Sequence, residues 1–118
     1  MADVRILIVE DEPLIAMMLE DFIEALGHDV AGTADSVEKG LAAVAKGGFD
    51  IAILDVNLRN GQPSWPIADA LDDARRPFLL ASGGLLGDPP ERHRNRPCLS
   101  KPYTLESVKL AIVGALDS

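Results

Sequence analysis

The sequence predicts an α/β fold, a doubly wound parallel sheet with helices on both faces. Short apolar segments rich in β-branched residues alternate with segments whose apolar residues recur at helical spacing, and this alternation occurs five times. The strand segments are almost continuously apolar, as strands buried on both faces are. A chain of 118 residues suits one domain, so we expect a single domain over residues 1–118.

The first half of the chain contains three predicted strands and two predicted helices. The first and third strands are expected at residues 4–9 and 49–54, and residues 28–34 contain a short second strand around Val30. Pro13 suits the first turn of the first helix, which Gly27 ends. Asp35 or Ser36 can cap the second helix, which a glycine pair ends.

The second half contains two further strands and two clear helices. The strands are expected at residues 78–82 and 97–100. Ser64 can cap the third helix and Thr104 the last one. Because Pro89 and Pro90 discourage a helix, the fourth helix, within residues 85–96, is expected to be short or irregular.

Composition and charge favour a cytoplasmic protein that binds cations or other proteins. Hydrophobic residues make up 47% and charged residues 25% of the chain, a globular balance without a run long enough to span a membrane. A net charge of -8 would repel a phosphate backbone, so nucleic acid is not an expected partner. No signal peptide is apparent, and the single cysteine excludes an internal disulfide and fits a reducing compartment.

Polar residues follow four of the five predicted strands, at the edge where doubly wound sheets place their sites. They are Glu10, Asp11 and Glu12 after the first strand, Asp55 and Asn57 after the third, Ser82, Gly83 and Gly84 after the fourth, and Lys101 and Pro102 after the fifth. Clustered carboxylates need a counter-ion, and oxygen ligands suit Mg²⁺. An ammonium and a hydroxyl can bind phosphoryl oxygens, and an aspartate can act as the nucleophile that forms an acyl phosphate.

These residues closely resemble the receiver domains of two-component response regulators, along the whole chain. The motifs are Ile6-Leu7-Ile8-Val9-Glu10-Asp11-Glu12-Pro13, Ile53-Leu54-Asp55-Val56-Asn57-Leu58, Ala81-Ser82-Gly83 and Ser100-Lys101-Pro102. The resemblance implies a flavodoxin-like (βα)5 fold with strand order 2-1-3-4-5. It also implies a phosphoacceptor signalling domain of a phosphorelay rather than an enzyme, with a histidine kinase or phosphotransfer protein as donor, an unidentified output protein, and a monomer or weak dimer.

The resemblance implies a role for each matching residue. Asp55 is the phosphoacceptor, Asp11 and Asp55 bind Mg²⁺ directly with the backbone carbonyl of Asn57, and Glu10 acts through water. Ser82 is the switch hydroxyl, Lys101 pairs with the phosphoryl group, and the bond between Lys101 and Pro102 is cis.

One segment departs from the common receiver pattern. Many receivers carry an aromatic residue three positions before the lysine, where this chain has Cys98. Residues 57–61, 64–71 and 77–84 resemble a subgroup, often stand-alone, that is named for Phe-Ala-Thr-Gly followed by Gly or Tyr, with Leu80 and Ser82 replacing its Phe and Thr. That resemblance implies activation through Gly83, Gly84 and the segment after them, without the aromatic switch.

Simpler interpretations exist for the same residues. The acids at 10–12 could merely favour a helix N-terminus, Ser82 could be a strand-end hydroxyl, and Lys101 could be solvated. Cys98 is predicted to be a small buried hydrophobe rather than a redox group. Both histidines are expected at the surface, Trp65 is expected to pack at a helix start, and residues 91–96 fit a solvated loop better than a docking patch.

Three other functions are alternatives to the receiver. An aspartyl-nucleophile phosphatase typically needs a second aspartate where Asn57 stands, and its extra acids follow the lysine instead of preceding the nucleophile. A serine hydrolase is excluded because the segment around Ser82 lacks the first glycine of a nucleophile elbow. A receiver-like module that works without phosphorylation is disfavoured by the intact acids, although the shortened segment after Ser82 leaves it open.

Overall fold

The computed structural model describes residues 4–56, 58, 63–82, 98–100 and 103–116, apart from the side chains of Ser82 and Ser100. The strands are β1 (Arg5–Val9), β2 (Asp29–Ala34), β3 (Ile51–Asp55), β4 (Phe78–Ser82) and β5 (Cys98–Ser100). The helices are α1 (Pro13–Ala25), α2 (Val37–Lys46), α3 (Trp65–Asp73) and α4 (Leu105–Leu116). The strand–helix alternation is confirmed, and the segment expected to hold a short or irregular helix lies outside the described residues.

The five strands form one parallel sheet in the order β2-β1-β3-β4-β5, which confirms the flavodoxin-like topology. In the centre, Val9 is level with Leu54 and Asp55 is level with Ala81, so β1, β3 and β4 end at one edge. The pairing of β1 with β2 contains one irregularity. Ile6 pairs with Val30 but Leu7 pairs with Gly32, which leaves an extra residue in β2.

The sheet is covered on both faces because side chains alternate along each strand. Ile6 and Ile8 of β1 belong to a hydrophobic cluster, named here the first core, which includes residues of α1 and α4. Leu7 and Val9 belong to a second core with residues of α2 and α3. Trp65 packs against the second core, as expected from its place at the start of α3.

Three of the helix ends confirm the sequence expectations, and one does not. Gly27 follows α1 with φ 86°, the Ser36 hydroxyl accepts from the backbone N–H of Lys39 at 3.2 Å, and the Thr104 hydroxyl accepts from that of Ser107 at 3.0 Å. Ser64 precedes α3 but makes no cap hydrogen bond. Its backbone, with φ -89° and ψ 11°, is outside the extended conformation that turns a cap hydroxyl toward the helix.

Helices α2 and α3 meet at Gly40. A Cβ at Gly40 would overlap Cδ1 of Ile67 and lie 3.1 Å from its Cγ1. Ile67 is completely buried, so its side chain has little room to move away. The absence of a side chain at Gly40 is therefore what allows the two helices to pack this closely.

The prediction that Cys98 is buried is wrong. Cys98 is exposed, whereas the next residue, Leu99, is 3% exposed and lies in the first core. Alternation puts the two side chains on opposite faces of β5, an edge strand of only three residues. His28 is only half-buried, and its Nδ1 accepts a hydrogen bond from the backbone N–H of Val4 at 3.3 Å. Within the described part of the chain, no helix is long and apolar enough to cross a membrane.

Candidate functional site

Three carboxylates meet where β1 and β3 end. Glu10 and Asp11 follow β1 directly, and Asp55 is the last residue of β3. Since Val9 is level with Leu54 in these neighbouring strands, the residues that follow them reach the same edge of the sheet. One carboxylate oxygen from each of the three residues lies within 4.8 Å of the others. We refer to Glu10, Asp11 and Asp55 as the acid cluster.

Two members of the acid cluster are almost fully buried. Glu10 is 4% exposed and Asp55 is 6% exposed, whereas Asp11 is half-buried. Glu10 is held at two points, since its N–H donates to the Ala34 carbonyl at 2.9 Å and its Oε2 accepts from the N–H of Glu12 at 3.2 Å. Carboxylates are rarely buried together unless they serve a charged ligand.

The alternative that these acids serve the helix N-terminus is supported by one contact only, in which Oε2 of Glu10 accepts from the N–H of Glu12. Glu12 occupies the cap position without a side-chain cap hydrogen bond, and the first turn contains no acidic residue. Glu10 instead points into the protein, as its burial shows. The acids therefore form a site at the sheet edge rather than a cap.

The geometry of the acid cluster fits a Mg²⁺ ion. Octahedral coordination at about 2.1 Å places opposite ligands about 4.2 Å apart. The oxygens of Asp11 and Asp55 lie within 4.8 Å of each other, close to that spacing, and the Glu10 oxygen lies within 4.8 Å of both, near enough to hold a water of the ion. An all-oxygen ligand set with only part of the coordination supplied by protein is the kind that Mg²⁺ prefers, since this ion keeps several waters.

The residue after Asp55 is fixed from two sides. The N–H of Val56 donates to the Ala81 carbonyl at 3.0 Å. The Val56 carbonyl accepts from the N–H of Ser64 at 2.8 Å and from its hydroxyl at 3.1 Å. Ser64 is completely buried, and its two hydrogen bonds connect the start of α3 to the residue that follows β3. Sequence reasoning assigned it to a helix cap, and no local pattern distinguishes the two roles.

Tyr103 is a residue of the site that sequence reasoning missed. It is 4% exposed, and burial, followed by the negative charges of Glu10, Asp55 and Glu12, raises the pKa of its phenol above the ordinary value. The phenol is thus within the electrostatic influence of these acids. The available signal was its position directly after Lys101 and Pro102.

Several predicted site residues lie outside the described part of the chain. They are Asn57, Gly83, Gly84, Lys101 and Pro102. Ser82 ends β4 and is level with Ser100 of β5, but its side chain is not described. The described residues therefore bring Glu10, Asp11 and Asp55 together, and they leave Cys98 exposed on an edge strand.

Known proteins share both the sequence and the fold. The family described as response regulator receiver domain matches residues 6–62. The solution structure of SdrG from Sphingomonas melonis Fr1 is 51% identical, covers 98% of this chain and 99% of that one, and has a TM-score of 0.88. The BeF3-activated conformation of SdrG has a TM-score of 0.82 at the same identity and coverage.

Two longer proteins match as well. Phyllosphere-induced regulator PhyR of Methylorubrum extorquens is 32% identical, with 95% of this chain and 43% of that protein covered. The anti-anti-sigma factor PhyR from Bartonella quintana is 28% identical, with 99% of this chain and 49% of that one covered and a TM-score of 0.83. This chain thus spans less than half the length of these two relatives. With 51% identity to SdrG over nearly the whole of both chains, the protein belongs to the response regulator receiver domain family.

Proposed function

We propose that residues 1–118 form one phosphoacceptor receiver domain, in which Asp55 takes a phosphoryl group from a histidine kinase or phosphotransfer protein with the help of Mg²⁺. The observation that carries this proposal is the position of Asp55, at the end of the central strand β3 and within 4.8 Å of two further carboxylates. The output is a change in contacts with another protein, in a cytoplasmic phosphorelay.

The proposed step is a transfer between two side chains. A carboxylate oxygen of Asp55 forms a bond to phosphorus as the bond from phosphorus to the donor's imidazole nitrogen breaks, and the electron pair of that bond stays on the nitrogen. Because the other ring nitrogen of the donor carries a proton, the step leaves an acyl phosphate on Asp55 and a neutral histidine on the donor. Mg²⁺ at Asp11, Asp55 and the Asn57 carbonyl, with Glu10 acting through water, would supply charge neutralisation. The burial of Asp55 limits the access of water to the acyl phosphate.

The sheet register supports the roles proposed for residues beyond the acid cluster. Asp55 is level with Ala81, so Ser82 is the next position along the neighbouring strand. Ser82 is in turn level with Ser100, which Lys101 follows. The Ser82 hydroxyl and the Lys101 ammonium are proposed to hold the phosphoryl oxygens, and Gly83, Gly84, Pro102 and Cys98 are proposed to belong to the segments that respond.

The surface beside the site suits a protein donor. Helix α1 begins at the edge that holds the acid cluster, and its Leu14 and Met17 are 80% and 58% exposed. Exposed apolar side chains of this size are typical of surfaces that bind other proteins. A net charge of -8 opposes binding of nucleic acid.

The test is the intact mass of the protein after incubation with acetyl phosphate, with and without Mg²⁺. Wild type is expected to gain one phosphoryl group only with Mg²⁺, and Asp55→Asn none. The matched control is Asp21→Asn, which removes an exposed carboxylate of α1 and should behave as wild type. A gain by Asp55→Asn would show a different acceptor.

A second arm covers receivers that accept only from their own kinase. Beryllofluoride mimics the phosphoryl group, and the only tryptophan, Trp65, at the start of α3, provides a fluorescence signal. If wild type neither gains mass nor binds beryllofluoride in the presence of Mg²⁺, a module that works without phosphorylation would replace the proposal.

A further inference from the structure

The hydroxyl of Tyr103 is buried without a hydrogen-bond partner among the described residues. Its ring lies in the first core, whose strand members include Ile8 and Ile53 next to the ends of β1 and β3. The oxygen itself is buried and unsatisfied. Unsatisfied hydroxyls are uncommon in protein interiors, and a phenylalanine would fill the same apolar space.

Asp55 lies two residues after Ile53 in β3, so its side chain points to the same face of the sheet as the first core, where the ring of Tyr103 packs. The charges of Glu10, Asp55 and Glu12 act on the phenol, in that order of strength after the effect of burial, and they raise its pKa. A phenol carries its proton at neutral pH, since its ordinary pKa is about 10. A protonated phenol beside carboxylates acts as a hydrogen-bond donor.

Glu10 offers the matching acceptor. Its Oε2 accepts from the N–H of Glu12 at 3.2 Å, so that oxygen is directed toward the start of α1. Its Oε1 is buried as well. A hydrogen bond from a neutral donor to a carboxylate is stronger than one between neutral groups, and it would fix the orientation of the Glu10 side chain.

We propose that Tyr103 is a positioning residue of the metal site, whose hydroxyl donates to the Glu10 carboxylate, or to a water that this carboxylate holds, when the acid cluster binds Mg²⁺. This inference rests on the proposed function, which assigns Mg²⁺ to the acid cluster. Because α4 begins at Leu105, two residues after Tyr103, the hydrogen bond would also connect the metal site to the last helix.

The proposal predicts opposite signs for two measurements on Tyr103→Phe. Without Mg²⁺, removing an unsatisfied buried hydroxyl should leave the stability unchanged or raise it. With Mg²⁺, the variant lacks the hydrogen bond, so its Mg²⁺ affinity should fall about tenfold. A role in packing alone would leave the Mg²⁺ affinity unchanged.

The experiment is calorimetric titration of Mg²⁺ into wild type and Tyr103→Phe, with thermal unfolding of both proteins in EDTA. The control is Ser107→Ala, which removes a hydroxyl that accepts from the Thr104 N–H and donates to the Thr104 carbonyl at the start of α4, outside the acid cluster. It should unfold at a lower temperature and bind Mg²⁺ as wild type does. A loss of affinity in Ser107→Ala equal to that in Tyr103→Phe would overturn the proposal, because the effect would then come from α4.

A spectroscopic readout follows the hydroxyl directly. The chain has a single tyrosine, so the Raman Fermi doublet of tyrosine reports Tyr103 alone. Addition of Mg²⁺ should shift the doublet ratio toward that of a hydrogen-bond donor. An unchanged doublet, or equal Mg²⁺ affinities of wild type and Tyr103→Phe, would overturn the positioning role. Phosphorylation of Asp55, measured separately by intact mass, tests the proposed function, so the two failures are distinguishable.

Discussion

Replacing Asp55 with asparagine is expected to stabilise the domain in the absence of Mg²⁺ and to remove its stabilisation by Mg²⁺. The acid cluster keeps three carboxylates within 4.8 Å, two of them almost fully buried. Their mutual repulsion opposes folding, and asparagine has the shape of aspartate without its charge. The same substitution deletes a proposed ligand of the ion.

The magnitude follows from the separation of the charges. At the 4.8 Å that bounds the cluster, two unit charges repel by about 3.5 kcal/mol at an effective dielectric constant of about 20, and by about 0.9 kcal/mol in water. The repulsion between Asp55 and buried Glu10 should be nearer the first value, and that between Asp55 and half-buried Asp11 nearer the second. We therefore expect Asp55→Asn to raise the free energy of unfolding by about 2–4 kcal/mol, which raises Tm by roughly 8–16 °C for a domain of this size.

The assay is thermal unfolding followed by circular dichroism, first in EDTA and then with Mg²⁺. At a Mg²⁺ concentration of about ten times Kd, wild type should gain about 1.4 kcal/mol, or roughly 5 °C, and Asp55→Asn should gain much less. Asp21→Asn removes the same unit of charge from an exposed position on α1 and should shift Tm little. If Asp55→Asn unfolds no higher than wild type in EDTA, or if Asp21→Asn gains as much, repulsion within the cluster is not the cause.

Three further substitutions or titrations test the structure around the site. Burial and nearby acids raise the pKa of Tyr103, so tyrosinate absorbance of the folded domain should appear only above the ordinary pKa of about 10. The contribution of this group to the free energy of unfolding should be full below that pH and should fall as the pH rises above it. Ionisation at about pH 10 in the folded domain would contradict this. Gly40→Ala should lower the free energy of unfolding in urea by about 1 kcal/mol, since overpacking against Ile67 costs more than the gain in helix propensity. Adding Ile67→Val to this variant should recover part of the lost free energy. Ser64→Ala should lower the free energy of unfolding by about 1–2 kcal/mol and weaken beryllofluoride binding, because the Val56 carbonyl loses a hydrogen bond. Unchanged beryllofluoride binding would show that Ser64 does not support the site.

The fold could be predicted because its signals are local and repeated. Apolar strands, helical spacing and stop residues such as Gly27 each depend on a few neighbouring positions. The meeting of Glu10, Asp11 and Asp55 could also be predicted, since parallel strands end at a common edge.

The remaining features depend on contacts between distant segments. The exposure of Cys98 depends on what covers each face of an edge strand, and the role of Ser64 depends on its backbone angles. Gly40 is constrained by Ile67 of another helix. The charges of Glu10 and Asp55 act on Tyr103 only once the chain has folded, and the separation of these residues in the sequence does not indicate it.

The irregular pairing of β2 with β1 affects how the molecule behaves toward copies of itself. β2 is a six-residue edge strand, long enough for its outer backbone groups to pair with a strand of another molecule. The extra residue, Ala31, interrupts the regular spacing of those groups and increases the local twist. Because the opposite edge, β5, has only three residues, neither side of the sheet offers a long flat template, and this disfavours aggregation by strand addition.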